Sequence, residues 1–160
     1  FRTLSCVDNV ELFSCKKRRR NMALVAPNQK GEILMLQYIV GMVAAGNPIL
    51  HLFKSDVTPD DGTTISQVGG SNEVTSAGYA FTELTSGGAG NWTTTHSGTG
   101  VTTALYSEVT FAFTTDAVVY GYYVTNVGGD LLWVERFSGA PFQIPDGGGT
   151  ISITSKITLS

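Results

Sequence analysis

The sequence predicts an all-β domain, a two-sheet sandwich of jelly-roll or immunoglobulin-like type with one N-terminal helix. Three observations lead there. Charged residues make up only 14% of the 160, against about 25% in an average soluble domain. Glycine reaches 19 residues, and Thr and Ser recur throughout. Apolar residues fall in strand-length runs, several alternating with a period of two, and clusters of Gly, Asn, Asp and Pro separate them. A chain of this length fits one core, burying roughly two-thirds of the surface exposed by the unfolded chain.

The helix comes first, over about 29–41. Asn28 is placed to cap it, Glu32 complements the positive end of its dipole, and no proline interrupts Gln29 to Gly41. Ile33, Leu34, Met35, Leu36, Tyr38, Ile39 and Val40 occupy more than one stripe. A small domain covers one side of a surface helix, so a second apolar side is expected to face a partner. Leu34, Met35, Leu36, Tyr38, Ile39 and Val40 are therefore the candidate interface residues.

Beyond Gly46-Asn47-Pro48 the expected strands are Ile49 to Lys54, Tyr79 to Leu84, Trp92 to His96, Leu105 to Thr114, Val118 to Asn126, Leu131 to Phe137, Phe142 to Ile144 and Thr150 to Leu159. Val109, Phe111 and Phe113 share one face, and Ile151, Ile153, Ile157 and Leu159 keep period two with one small interruption. Asn126-Val127-Gly128-Gly129-Asp130 and Asp146-Gly147-Gly148-Gly149 have the chemistry of tight turns. Seven or eight such strands favour a sandwich over a parallel α/β fold.

The first 21 residues differ from the rest. They hold both cysteines, Cys6 and Cys15, and six of the ten basic residues, including the run Lys16-Lys17-Arg18-Arg19-Arg20. Met22 to Ser160 carries four basic against eleven acidic residues, a formal charge of −7. Purine-rich codons of a ribosome-binding site encode Lys and Arg when read in frame. Residues 1–21 are accordingly expected to be translated upstream sequence, irregular in structure, with a single domain over 22–160. If the 16–20 run is native, it is instead a basic arm for nucleic acid.

Constellations that carry chemistry are scarce, and neither enzyme activity nor a cofactor is expected. His51 and His96 each fall inside a candidate strand, where cross-strand packing explains them better than a metal pair or a general base. The Gly87 to Gly90 and Gly147 to Gly149 runs lack the Lys-Ser or Lys-Thr of a phosphate loop. Asp56, Asp60 and Asp61 lack the alternating ligands of a calcium loop. Asn91-Trp92-Thr93 matches a glycosylation sequon, a short match that is common by chance. Glu135 and Arg136 point to opposite strand faces, as do Tyr122 and Tyr123. Among Tyr79, Trp92, Tyr106, Tyr120, Tyr122, Tyr123, Trp133, Phe137 and Phe142, most belong to a core. The most apolar stretch, Ile33 to Ala45, is shorter than the roughly 18 residues of a membrane span, and no membrane partner is expected.

Several segments carry a resemblance. Met22-Ala23-Leu24-Val25-Ala26-Pro27-Asn28, Leu50-His51-Leu52-Phe53-Lys54-Ser55-Asp56-Val57-Thr58-Pro59 and Glu73-Val74-Thr75-Ser76-Ala77-Gly78-Tyr79-Ala80 resemble small virion proteins of tailed bacteriophages, including cyanophages. So do Val119-Tyr120-Gly121-Tyr122-Tyr123-Val124 and Glu135-Arg136-Phe137-Ser138-Gly139-Ala140-Pro141-Phe142. The resemblance spans Met22 to Ser160 and implies a β-sandwich that assembles as a symmetric homo-oligomer, commonly a trimer, on a virion. The implied role is capsid decoration or cementing, with the phage major capsid protein or another virion protein as partner. The alternative role is a receptor- or glycan-binding module of a tail or fibre.

Overall fold

Strand-forming sequence in this chain breaks wherever a strand changes partner. The structure, a computed structural model, describes residues 29–42, 44, 46–85, 91–98 and 100–159. The expected leader, residues 1–21, and the expected cap Asn28 lie outside the described residues. In chain order the elements are α1 (Gln29–Ile39), β1 (Ile49–Phe53), α2 (Ile65–Val68), β2 (Thr82–Glu83), β3 (Trp92–His96), β4 (Thr102–Tyr106), β5 (Val109–Phe113), β6 (Ala117–Val119), β7 (Gly121–Thr125), β8 (Leu131–Arg136), β9 (Phe142–Ile144), β10 (Gly149–Ile153) and β11 (Lys156–Leu159). The described chain is mostly strand, in several antiparallel sheets with few helices, and so all-β.

The largest sheet has the order β2-β1-β7-β8; the others are β11-β4-β3, β10-β5 and β6-β9. Three long expected strands prove to be pairs. Leu105 to Thr114 divides into β4 and β5 because the ladder slips by one residue: Val109 faces Ile153, whereas Leu105 faces Lys156. Four steps on one strand therefore oppose three on the other, the geometry of a bulge, which bends the ribbon. The same irregularity separates β10 from β11 in the expected strand Thr150 to Leu159, and Tyr106 N still donates to Ser155 O at 2.9 Å. Val118 to Asn126 divides at Tyr120, whose N donates to Phe53 O while its O accepts from Phe137 N, both at 2.9 Å. On one side of that residue β6 pairs with β9, and on the other β7 pairs with β1 and β8.

Three further expectations are corrected. Tyr79 to Leu84 retains only Thr82–Glu83 as strand, because Gly78 takes a left-handed φ of 88° and Tyr79 N closes a turn onto Ser76 O at 3.1 Å. The single expected helix is joined by α2 and by a 3-10 turn over Gly70–Asn72. Both lie in the excursion between β1 and Val74, where Thr64 N donates to Gln67 Oε1 at 2.7 Å and opens α2. The helix α1 ends two residues before the expected Gly41. Gly41 has φ 72°, Met42 N reaches Gln37 O at 2.9 Å and Gly41 N reaches Tyr38 O at 3.2 Å. These paired bonds satisfy the last helical carbonyls and stop the helix.

Apolar side chains pack on both faces of the four-stranded sheet. Leu50, Leu52, Tyr122 and Val124 share a cluster with Val109, Phe111, Phe113, Ile144 and Ile153 of other sheets. On the opposite face Phe53, Tyr123, Leu131 and Val134 pack with Val68 of α2. Tyr122 and Tyr123 thus serve different cores, as strand alternation requires. The expected face Val109, Phe111, Phe113 is buried, with Thr110 and Ala112 exposed between.

Candidate assembly surface and a half-buried polar cluster

Helix α1 lies against β8. Leu34 and Met35 pack on the core, and Gly31 is buried beside them. Advancing 100° per residue, Gly31, Leu34, Met35 and Tyr38 occupy one arc and Ile33, Leu36, Ile39 and Val40 the arc opposite. The second arc is open to solvent, with Leu36 62% and Ile39 78% exposed, and Met42 beyond it is equally bare. The six candidate interface residues therefore divide. Leu34 and Met35 hold the helix to its own domain, Tyr38 is half-buried, and Leu36, Ile39 and Val40 are free to meet another surface. Ile33 shares that exposed stripe although it was not among the candidates; it was legible from its i, i+3, i+7 spacing with Leu36 and Val40.

A second cluster is polar and half-buried. The excursion after β1 returns so that Val74 N donates to Leu52 O at 3.0 Å, which sets Glu73 beside β1. His51 Nδ1 lies 3.0 Å from Glu73 Oε1, and its Nε2 lies 3.2 Å from Thr125 Oγ1 on β7. Tyr79 Oη donates to Glu73 Oε1 at 2.9 Å and accepts from Leu52 N at 3.0 Å. Tyr123 Oη donates to Glu73 Oε2 at 3.0 Å. The imidazole is stacked on the Tyr123 ring, and Phe81 lies 5.3 Å from its centroid.

Burial by itself raises the Glu73 carboxyl, but hydrogen bonds from His51, Tyr79 and Tyr123, with the positive charge available to His51, outweigh it and hold the pKa below the ordinary 4.5. Burial, reinforced by the adjacent carboxylate, pushes the Tyr79 and Tyr123 phenols upward. Both phenols therefore remain protonated donors. Carboxylate, imidazole and hydroxyl stand in the order of a nucleophilic triad, yet Thr125 is only 4% exposed. The same bonds tie β1, β7 and the returning excursion together.

The other candidate groups are engaged locally. His96 bonds Thr102 Oγ1 across the β3–β4 turn at 2.9 Å, and it lies in a different sheet from His51. Asp60 Oδ1 accepts from Gly62 N and Thr63 Oγ1, closing a turn. Asp56 pairs with Arg136 at 2.6 Å. Arg136 also sits over the Tyr120 ring, whereas Glu135 accepts from Tyr122 on the other face. Asn91 Nδ2 is bonded to Thr85 Oγ1 at 3.1 Å. Of the aromatic residues, Tyr106, Tyr122, Tyr123 and Trp133 are buried, while Phe142 is exposed and meets Phe137 edge-on at 76°.

In comparisons with known proteins, no family model, no curated protein and no solved structure matches the chain.

Proposed function

We propose that this chain is a non-enzymatic structural protein of a bacteriophage virion, a capsid decoration or cement protein that stabilises the shell by binding it as a homo-oligomer, commonly a trimer. The observation that carries the reading is the apolar stripe of Ile33, Leu36, Ile39 and Val40, presented on a helix whose other side is already anchored to the domain. Contiguous apolar surface of this kind marks an interaction site. Its burial against the major capsid protein or a second copy stabilises the assembled shell by mass action, because only the assembled form offers the partner surface.

The finer architecture belongs to the same reading. One face of the four-stranded sheet shares a core with β5, β10 and β9, which supports two packed layers of jelly-roll or immunoglobulin-like type. The edge-on contact of Phe142 and Phe137 gives no flat platform for a sugar ring and weighs for assembly over glycan binding at a tail or fibre. Localisation of the chain in images of virus particles tests the reading. Density or label distributed over the capsid surface is the expected result; label confined to a tail tip or fibre favours the alternative, and absence from particles overturns both.

A further inference from the structure

Three of the four sheet edges formed by the longer sheets are blunted in the usual ways. Strand β2 is only two residues long, β8 lies under α1, and β11 carries Lys156. Among the described residues, the fourth, β3, is not. It has five residues, Trp-Thr-Thr-Thr-His, with no proline, lysine or break in its register with β4. Thr93, Thr94, Thr95 and His96 are all exposed, so both faces of the strand are open along most of its length.

The pairing with β4 decides which backbone groups are free. Ser107 N donates to Asn91 O at 2.7 Å and Ser97 N to Val101 O at 2.8 Å, one pair at each end of the ladder. In an antiparallel ladder the hydrogen-bonded positions alternate. Thr93 and Thr95 therefore turn their N–H and C=O groups toward β4, and Trp92, Thr94 and His96 turn theirs outward. Three consecutive outward positions make a template for another strand.

We infer that the outward edge of β3 is a self-pairing surface: a second copy of this chain adds its own β3 antiparallel about a two-fold axis through Thr94, joining two three-stranded sheets into one of six. The sequence of the strand selects this occupant. Reversal about Thr94 sets threonine against threonine at the centre, Thr93 against Thr95 of the second copy, and the Trp92 indole against the His96 imidazole. Thr–Thr and aromatic pairs are favourable cross-strand neighbours, and no like charges are brought opposite each other. An isologous interface requires such self-complementarity. This surface is separate from the α1 stripe and does not depend on the proposed function.

Proline at position 94 tests the inference, because the alternation leaves the Thr94 N–H outside the β3–β4 ladder and an edge strand tolerates proline there. The background is Leu36→Asp, which removes association through α1. Sedimentation of Leu36→Asp across the micromolar to millimolar range is expected to show a monomer–dimer equilibrium. In Leu36→Asp with Thr94→Pro that equilibrium is expected to weaken by at least roughly thirtyfold, the equivalent of two ordinary hydrogen bonds. Hydrogen exchange of the Thr94 amide should slow only as concentration rises. Thr94→Lys, at an exposed side chain, should show the same loss and serves if the proline variant does not fold. A chain that stays monomeric throughout, or a folded Thr94→Lys variant that dimerises as well as its parent, overturns the inference.

Discussion

The His51 imidazole lies flat on the Tyr123 ring, centroids 4.6 Å apart and planes within 6°, while both residues bond the same Glu73 carboxylate. One carboxylate thereby fixes two rings on neighbouring strands and a third, Tyr79, from the returning loop.

Glu73→Gln should destabilise the protein by about 2–3 kcal/mol, because the amide keeps one acceptor oxygen for three donors and turns an N–H₂ group toward a phenol. Thermal or urea unfolding measures this. An unchanged midpoint would show that the cluster contributes nothing net.

The same carboxylate makes stability depend on pH. Its folded pKa is depressed below 4.5, so its contribution is fully present above that ordinary value and is lost as pH falls through the folded value. Urea midpoints should therefore drop below about pH 4.5 in the wild type, and the drop should be smaller in Glu73→Gln. Equal slopes in the two proteins would assign the acid transition to other groups.

The two histidines should separate cleanly. His96→Ala, at an exposed site, should change stability by no more than about 0.5 kcal/mol. His51→Ala removes a stacked ring and both of its hydrogen bonds and should cost about 2–4 kcal/mol. The double variant should stay folded and keep its association through α1, as read by sedimentation, with any loss of self-association confined to the β3 pair, where His96 stands opposite Trp92. Loss of a hydrolytic activity or of a bound metal in the double variant would contradict the non-enzymatic reading.

Helix α1 yields a paired outcome. Leu36→Asp or Ile39→Asp should leave circular dichroism intact and abolish particle binding, because a charge on the exposed stripe costs the fold nothing until a partner desolvates it. Leu34→Asp, on the anchored side, should unfold or detach the helix. Folded and fully assembled Leu36→Asp and Ile39→Asp proteins would exclude this stripe as the interface.

Glycine is required for space at one strand position. At Gly121 an added Cβ would collide with the Glu135 carbonyl and the Phe53 ring, so Gly121→Ala should prevent folding or cost more than about 4 kcal/mol. Gly129, in the β7–β8 turn, has φ 81° and open space around it. Gly129→Ala should cost about 1 kcal/mol, from backbone conformation alone. Expression and unfolding midpoints of the two variants distinguish crowding from conformation.

Local patterning made much of the fold legible. Trp92–His96 and Phe142–Ile144 were readable to the residue because turn residues bound them closely. The buried triplet Val109, Phe111, Phe113 followed from period two, and the two-sided helix from apolar residues that no single stripe accommodates. By itself, then, the sequence determined the strand-rich class, the turn positions, and the presence of apolar surface on α1 beyond what one core absorbs.

Tertiary structure decided the rest. Whether Leu105 to Thr114 is one strand or two depends on its partner, since the slip between the Val109–Ile153 and Leu105–Lys156 pairs is a property of the ladder and leaves no mark on either segment alone. Which side of α1 stays open was settled by where Leu34 and Met35 find β8 and the core. His51, Glu73 and Thr125 are 22 and 74 positions apart in their bonded pairs. Hydrogen bonds act over about 3 Å of space, so that cluster exists only once β1, β7 and the returning loop are brought together.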